Sequence, residues 1–173
     1  MEQVMIKKCG PADMQTIRDM AQTVFRETYK EILSPEQMEY MMEWMYSMES
    51  LHRQLEEGHV YYMALYDGVP AGYLSVQREG TDGEGREVFH LQKIYVLPLF
   101  QGKRVGQALF DTAIGHVRGA KMCEKALMEL NVNRANKAVE FYRHQGMTIL
   151  RQGDFDIGEG FYMNDYIMGL TIG

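Results

Sequence analysis

Apolar positions along the chain change their spacing several times, and each change marks an element. A short apolar alternation over VMIKKC (residues 4–9) predicts a first strand. From residue 12 to 29, Ile17, Met20, Ala21, Val24 and Phe25 recur at helical intervals. Ser34-Pro35-Glu36-Gln37 reads as a helix start, with Ser34 as cap, Pro35 in the first turn and Gln37 closing a capping box. The helix behind it would bury Met38, Met41, Met42, Met45 and Trp44, and a shorter one over Leu51–Glu57 would stop at Gly58. The texture then becomes extended. VYYMALY, an Asp67-Gly68 turn and AGYLSVQ form a hairpin, and GTDGEGRE (residues 80–87) reads as a polar loop. In VFHLQKIYV the alternation slips: Phe89 and Leu91 share one parity, Ile94 and Val96 the other. A one-residue slip in a half-buried strand predicts a β-bulge, and a bulge leaves backbone groups unpaired.

The second half repeats strand and helix in alternation. Val105, Leu109, Ala113 and Val117 form a helical stripe. EKALMELNVN is a strand with Ala126, Met128, Leu130 and Val132 on one face and Leu127, Glu129 and Asn131 on the other. NKAVEFYRHQ is a short helix ending at Gly146, and MTILRQGDF and FYMNDYIMGLTI are two closing strands. The expected architecture is a mixed α/β domain over residues 1–173, a central sheet flanked by helices.

Charge adds a local feature. The chain of 173 residues carries a net charge of −6, and the stretch from Glu27 to Glu57 holds eight glutamates against Lys30 and Arg53. An acidic protein repels the phosphate backbone, so no nucleic-acid partner is expected. Apolar runs of seven residues fall short of a membrane span, and the first ten residues lack a secretory apolar core. Cys9 and Cys123 form neither a disulfide framework nor a metal spacing. These readings predict a cytoplasmic protein with no membrane partner and no bound metal.

Candidate chemistry gathers at PLFQGKRVGQALF, residues 98–110, where a strand gives way to a helix. The first amides of a helix lack intrahelical partners and carry the positive end of its dipole, so a glycine-rich entry can cradle phosphate. A plain turn would use the same residues. The spacing matches neither a Walker loop nor a dinucleotide fingerprint.

The order strand, FQGKRVGQAL, helix resembles the pyrophosphate loop of the GNAT superfamily of N-acetyltransferases. That family's pattern is Gln or Arg, two residues, Gly, any residue, then Gly or Ala. Gln101 and Gly106 match it, and Arg104 stands where the first motif glycine is usual. NVNRANKAVEFYRHQGM, residues 131–147, resembles the family's next strand-helix block. ETYKEILSPEQMEYMMEWMYSMESL and GEGFYMNDYIM are similar to the branch that acetylates polyamines.

The resemblance implies a mostly antiparallel sheet whose fourth and fifth strands splay, with acetyl-CoA held in the gap. Gly102, Lys103, Arg104, Val105, Gly106 and Gln107, with Gln101 ahead of them, would meet the pyrophosphate. Ile94, Tyr95 and Val96 would offer backbone to the pantetheine arm, and Asn133 and Asn136 would hydrogen-bond the cofactor. Asn133 and Asn136 read equally well as caps of the following helix. Tyr142 would protonate the departing thiolate. Tyr29, Glu31 and Trp44 would face the acceptor, a small-molecule amine. His90, Glu129 and Glu27 are candidates for the base, and no motif selects among them. Many relatives are dimers, so a homodimer is an expectation. A non-catalytic acyl-CoA-binding module and an enzyme acting on a peptide amine are the alternative readings.

Overall fold

A computed structural model describes residues 3–173; the first two residues of the expected domain lie outside the described residues. Seven strands form one mixed sheet in the order β1-β2-β3-β4-β5-β7-β6. The strands are β1 (Val4–Lys8), β2 (Val60–Tyr66), β3 (Val69–Thr81), β4 (Glu87–Val96), β5 (Ala126–Asn133), β6 (Thr148–Gly158) and β7 (Phe161–Ile172). Every neighbouring pair is antiparallel except β4 with β5. The helices are α1 (Met14–Tyr29), α2 (Pro35–Tyr46), α3 (Met48–Glu56), α4 (Val105–Ala120) and α5 (Ala138–His144).

Two apolar clusters cover the two faces of the sheet. Under α4, Val105, Leu109, Phe110, Ala113 and Val117 pack with the even-numbered face of β5 and with Phe89 and Leu91. On the other face α1, α2 and α3 enclose Tyr61, Met63 and Tyr73. Tyr46 and Tyr73 are fully buried there and share a hydroxyl–hydroxyl bond of 2.7 Å, which satisfies two groups that burial would otherwise penalise.

The slip read in β4 is a bulge. Ser75 pairs with Lys93 and Val76 with Leu91, so Gln92 is the extra residue. Its effect is to let Phe89, Leu91, Ile94 and Val96 all join the cluster under α4. Past the bulge the odd residues, Lys93 and Tyr95, face the helices α1–α3 instead.

Several boundaries differ from the sequence reading. Gly80 and Thr81 extend β3 and Glu87 begins β4, so the loop shrinks to Asp82–Arg86, folded around the Asp82 carboxylate. The capping box at α2 is half made: Ser34 accepts from the Gln37 amide, but the Gln37 side chain reaches across to the Tyr162 carbonyl at 2.8 Å. The third helix begins earlier, at Met48, because Ser47 caps it. Of the residues expected to be buried on α2, Met41 is, whereas Met38, Met42 and Met45 are half-buried and Trp44 is 44% exposed.

β4 and β5 pair for four residues only, Glu87–His90 with Ala126–Glu129. That closed end is pinned by Glu87. Its buried carboxylate accepts the Met122 and Cys123 amides at 2.6 and 3.1 Å and pairs with the Arg78 guanidinium. The Met122 amide, with Arg78 next, holds the Glu87 carboxyl below its ordinary value of 4.5. A carboxyl depressed on folding contributes stability above its unfolded value and loses it as pH falls through the folded one. Glu87→Gln is therefore expected to lower Tm by ~3 °C or more at neutral pH, with the gap to wild type narrowing below pH 4.5. Calorimetry across that range checks this; a gap unchanged by acid would contradict the assigned role.

Candidate active site

Beyond its four-residue ladder with β5, β4 runs on to Val96 with β3 as its partner, and β5 runs on to Asn133 with β7 as its partner. The strands diverge around a cleft of about 1050 Å³, lined by Leu91–Val96 on one wall and by Leu130–Val132, Asn136, Phe141 and Tyr142 on the other. The facing edge of β4 past the bulge is backbone without a strand partner, which suits an amide-rich chain lying along it.

The N-terminus of α4 closes one end of this cleft. α2 and α3 are capped by Ser34 and Ser47, whereas among the described residues no N-cap side chain bonds to the start of α4, as at α1 and α5. The first intrahelical bond runs from the Ala108 amide to the Arg104 carbonyl. The amides of Val105, Gly106 and Gln107 thus precede the ladder, and all three residues line the cleft. Gly102 turns the chain with φ +77° and Arg104 with φ +64°. The position usual for glycine does require the left-handed region here, and an arginine occupies it. A Cβ on Gly106 would point into the gap between the walls, 3.6 Å from Val96 Cγ2 and 3.8 Å from Phe141 Cζ.

Tyr142 is packed by Phe110 and Phe141, is 6% exposed and lines the cleft. Burial, reinforced by Tyr29, pushes its phenol above the ordinary 10, so it keeps its proton at neutral pH. Tyr29 meets Tyr95 through their hydroxyls at 3.1 Å.

A smaller chamber of about 280 Å³ lies on the α1–α3 face of the sheet. It shares Tyr29, Gln92, Lys93, Tyr95 and Asn131 with the large cleft, so the two meet at the bulge. Phe25, Met41, Trp44, Met45 and Tyr46 form its apolar wall. α2 docks on the β6–β7 hairpin: Tyr40 donates to the Ile157 carbonyl at 2.6 Å, and its ring lies 5.3 Å from Phe161. Lys93 is buried here, has no carboxylate partner among the described residues, and donates to Gln54 and Tyr61. Burial lowers its ammonium from 10.5 to about 7.

The large cleft brings together Tyr29, Glu31, Ile94, Tyr95, Val96, Gln101, Gly102, Arg104, Val105, Gly106, Gln107, Asn136 and Tyr142. Three expected residues lie elsewhere. Lys103 turns away, its Nζ 5.5 Å from the Tyr66 ring centre. Asn133 borders the small chamber and accepts the Ala135 amide in a turn; Trp44 also borders that chamber. Among the base candidates, His90 borders the chamber beside Glu79, with Nδ1 3.6 Å from the carboxylate. Glu129 faces Arg151, and Glu27 pairs with Lys30 at the outer rim. All eight glutamates of the acidic stretch are exposed, and none borders the small chamber. In the β6–β7 hairpin Asp154 pairs with Arg134 and Asp156 accepts the Gly158 amide. Sequence reading missed Asp165, a fully buried acid of the chamber, because a lone aspartate in an alternating strand reads as its wet face.

The model of the acetyltransferase (GNAT) family matches residues 18–147. An uncharacterised N-acetyltransferase of Methanocaldococcus jannaschii is 33% identical over 98 residues, 56% of this chain and 41% of its own length, so the chain spans about two-fifths of that relative. The PaiA N-acetyltransferase of Thermoplasma acidophilum, solved with coenzyme A, superposes with a TM-score of 0.77 at 22% identity, over 97% of this chain and 98% of its own. Arabidopsis thaliana Naa50, solved with a bisubstrate analogue joining CoA to a peptide, superposes at 0.69 with 15% identity, over 98% and 99%. With the splayed strands, the uncapped helix and the family model in agreement over three-quarters of its length, the chain belongs to the GNAT family of acetyltransferases.

Proposed function

We propose that this protein is an N-acetyltransferase that takes the acetyl group of acetyl-CoA to a primary amine, with no metal, and that its acceptor is a small cationic amine of the polyamine kind. One observation carries the reading: the uncapped start of α4, the unpartnered edge of β4 and the Tyr142 phenol converge on a single cleft. In this reading the α4 amides and Arg104 receive the pyrophosphate, and the β4 edge receives the pantetheine amides. The amine nitrogen bonds to the acyl carbon, the carbon–sulfur bond breaks, and Tyr142 gives its proton to the thiolate. An alkylamine has a pKa of about 10.4, so roughly one in 2,500 is neutral at pH 7. The chamber must therefore hold an ammonium and release its proton, and His90 is the base candidate that borders it.

A small acceptor is favoured over a peptide by the size of the chamber, about 280 Å³. The exposed glutamates from Glu27 to Glu57 act at longer range, raising the local concentration of cations and the encounter rate.

Release of free thiol from acetyl-CoA in a screen of amines tests the proposal; CoA binding without release under any amine would leave only the binding-module alternative. Gly106→Trp fills the gap between Val96 and Phe141 and is expected to weaken CoA at least tenfold, about 1.4 kcal/mol. Calorimetric titration of the folded variant reads this, and unchanged affinity would reduce the loop to a turn. Tyr142→Phe keeps the packing and removes the proton, so kcat is expected to fall by roughly 10–10³ with CoA affinity little changed. Wild-type kcat, with chemistry shown to be rate-limiting, would remove the assignment. For the acceptor, kcat/KM toward spermidine is expected to exceed that toward a neutral amino sugar and to fall with added salt. A salt-indifferent rate would contradict the steering.

A further inference from the structure

Asp165 is 1% exposed, yet its Oδ1 has no hydrogen-bond partner among the described residues. Its other oxygen accepts from Asn131 Nδ2 at 3.2 Å. Arg134, the cation whose charge reaches it, is committed to Asp154 and the Gly153 carbonyl. The carboxyl therefore sits in the chamber wall without a counter-ion. Burial raises it above its ordinary value, against the smaller effects of Asn131 and Arg134. A buried acid with an open oxygen is costly unless something pairs with it, and the chamber offers the room.

Position adds direction. Asp165 pairs with Asn133 on the neighbouring strand, and its carboxylate meets the side chain of Asn131, which borders both cavities, so it stands beside their junction. An amine whose reacting nitrogen lies on the β4 side of that junction, by Gln92, would extend its other end toward Asp165. The chamber is also lined by Tyr29, Tyr46, Tyr95 and Met45, aromatic and apolar groups suited to methylene groups and to cations near ring faces. Glu79 and His90 occupy the opposite end, by the closed part of the β4–β5 pair.

We infer that Asp165 is the acceptor's charge anchor: its free oxygen binds the distal ammonium of an alkyl diamine whose near nitrogen is acetylated. The inference rests on the acetyltransferase reading and names the group that selects its substrate. Asp165 contacts the non-reacting end, so it sets specificity and takes no part in bond making. Asp165→Asn keeps the shape and the bond to Asn131 and removes the charge.

Kinetics with cadaverine, pentylamine and aminopentanol provide the test. Wild type is expected to favour cadaverine over pentylamine at least tenfold in kcat/KM, chiefly through KM, and the ratio is expected to collapse by tenfold or more in Asp165→Asn. CoA affinity in the variant serves as the control for folding. Independently of turnover, cadaverine is expected to raise the thermal midpoint of the CoA-bound wild type and to lose that effect in the variant. No thiol release with any amine would defeat the acetyltransferase reading, and the thermal comparison would still decide the anchor. Equal use of the three amines by wild type, a preference that survives Asp165→Asn, or preference for a neutral tetrapeptide would each overturn the inference.

Discussion

Parallel strands β4 and β5 stay together for four residues and then part, and the rest of the site depends on that parting. It is built from both ends. Glu87 draws Arg78 and the Met122–Cys123 turn onto the closed end. Past Leu91, the extra Gln92 rotates the strand so that Ile94 and Val96 remain under α4 while Lys93 and Tyr95 swing to the other face. Without the bulge, either Ile94 and Val96 or Phe89 and Leu91 would leave the core. The same extra residue therefore serves packing and opens the backbone edge to a ligand.

The α1–α3 face of the sheet is polar for a surface so close to a core. His90, Gln92, Lys93, Asn131 and Asp165 border the small chamber together with the rings of Phe25, Tyr29, Trp44, Tyr46 and Tyr95. Burial acts in opposite directions on its two ionisable extremes, lowering the Lys93 ammonium and raising the Asp165 carboxyl. Both shifts disfavour the charged form of the group. Lys93 is satisfied by Gln54 and Tyr61, whereas Asp165 keeps an open oxygen. A charged ligand completes the second environment and not the first.

Much of the frame was legible in the chain because local periodicity and the core agree. The α4 stripe of Val105, Leu109, Ala113 and Val117 is buried as spaced, and the parity slip in β4 located the bulge. The helix-entry loop was legible through its glycines, although the need for a left-handed residue at Arg104 became visible only in the backbone. Long-range partners were not legible. Gln37 satisfies the capping-box pattern but bonds Tyr162, 125 residues away. Of the acidic stretch, Glu27 and Glu31 line the large cleft, whereas the chamber's buried acid arrives from β7 through pairing of Asp165 with Asn133. Periodicity records which face a residue takes, and does not record what stands across from it.

If backbone of the opened strand and of the α4 entry is the cofactor's seat, amide protons there must slow on binding. Amide hydrogen exchange with and without coenzyme A measures this directly. Protection is expected to rise over Gln92–Val96 and over Val105–Gln107, with the Glu87–His90 ladder little changed. Protection confined to other segments, with these two unaltered at saturating coenzyme A, would contradict the account.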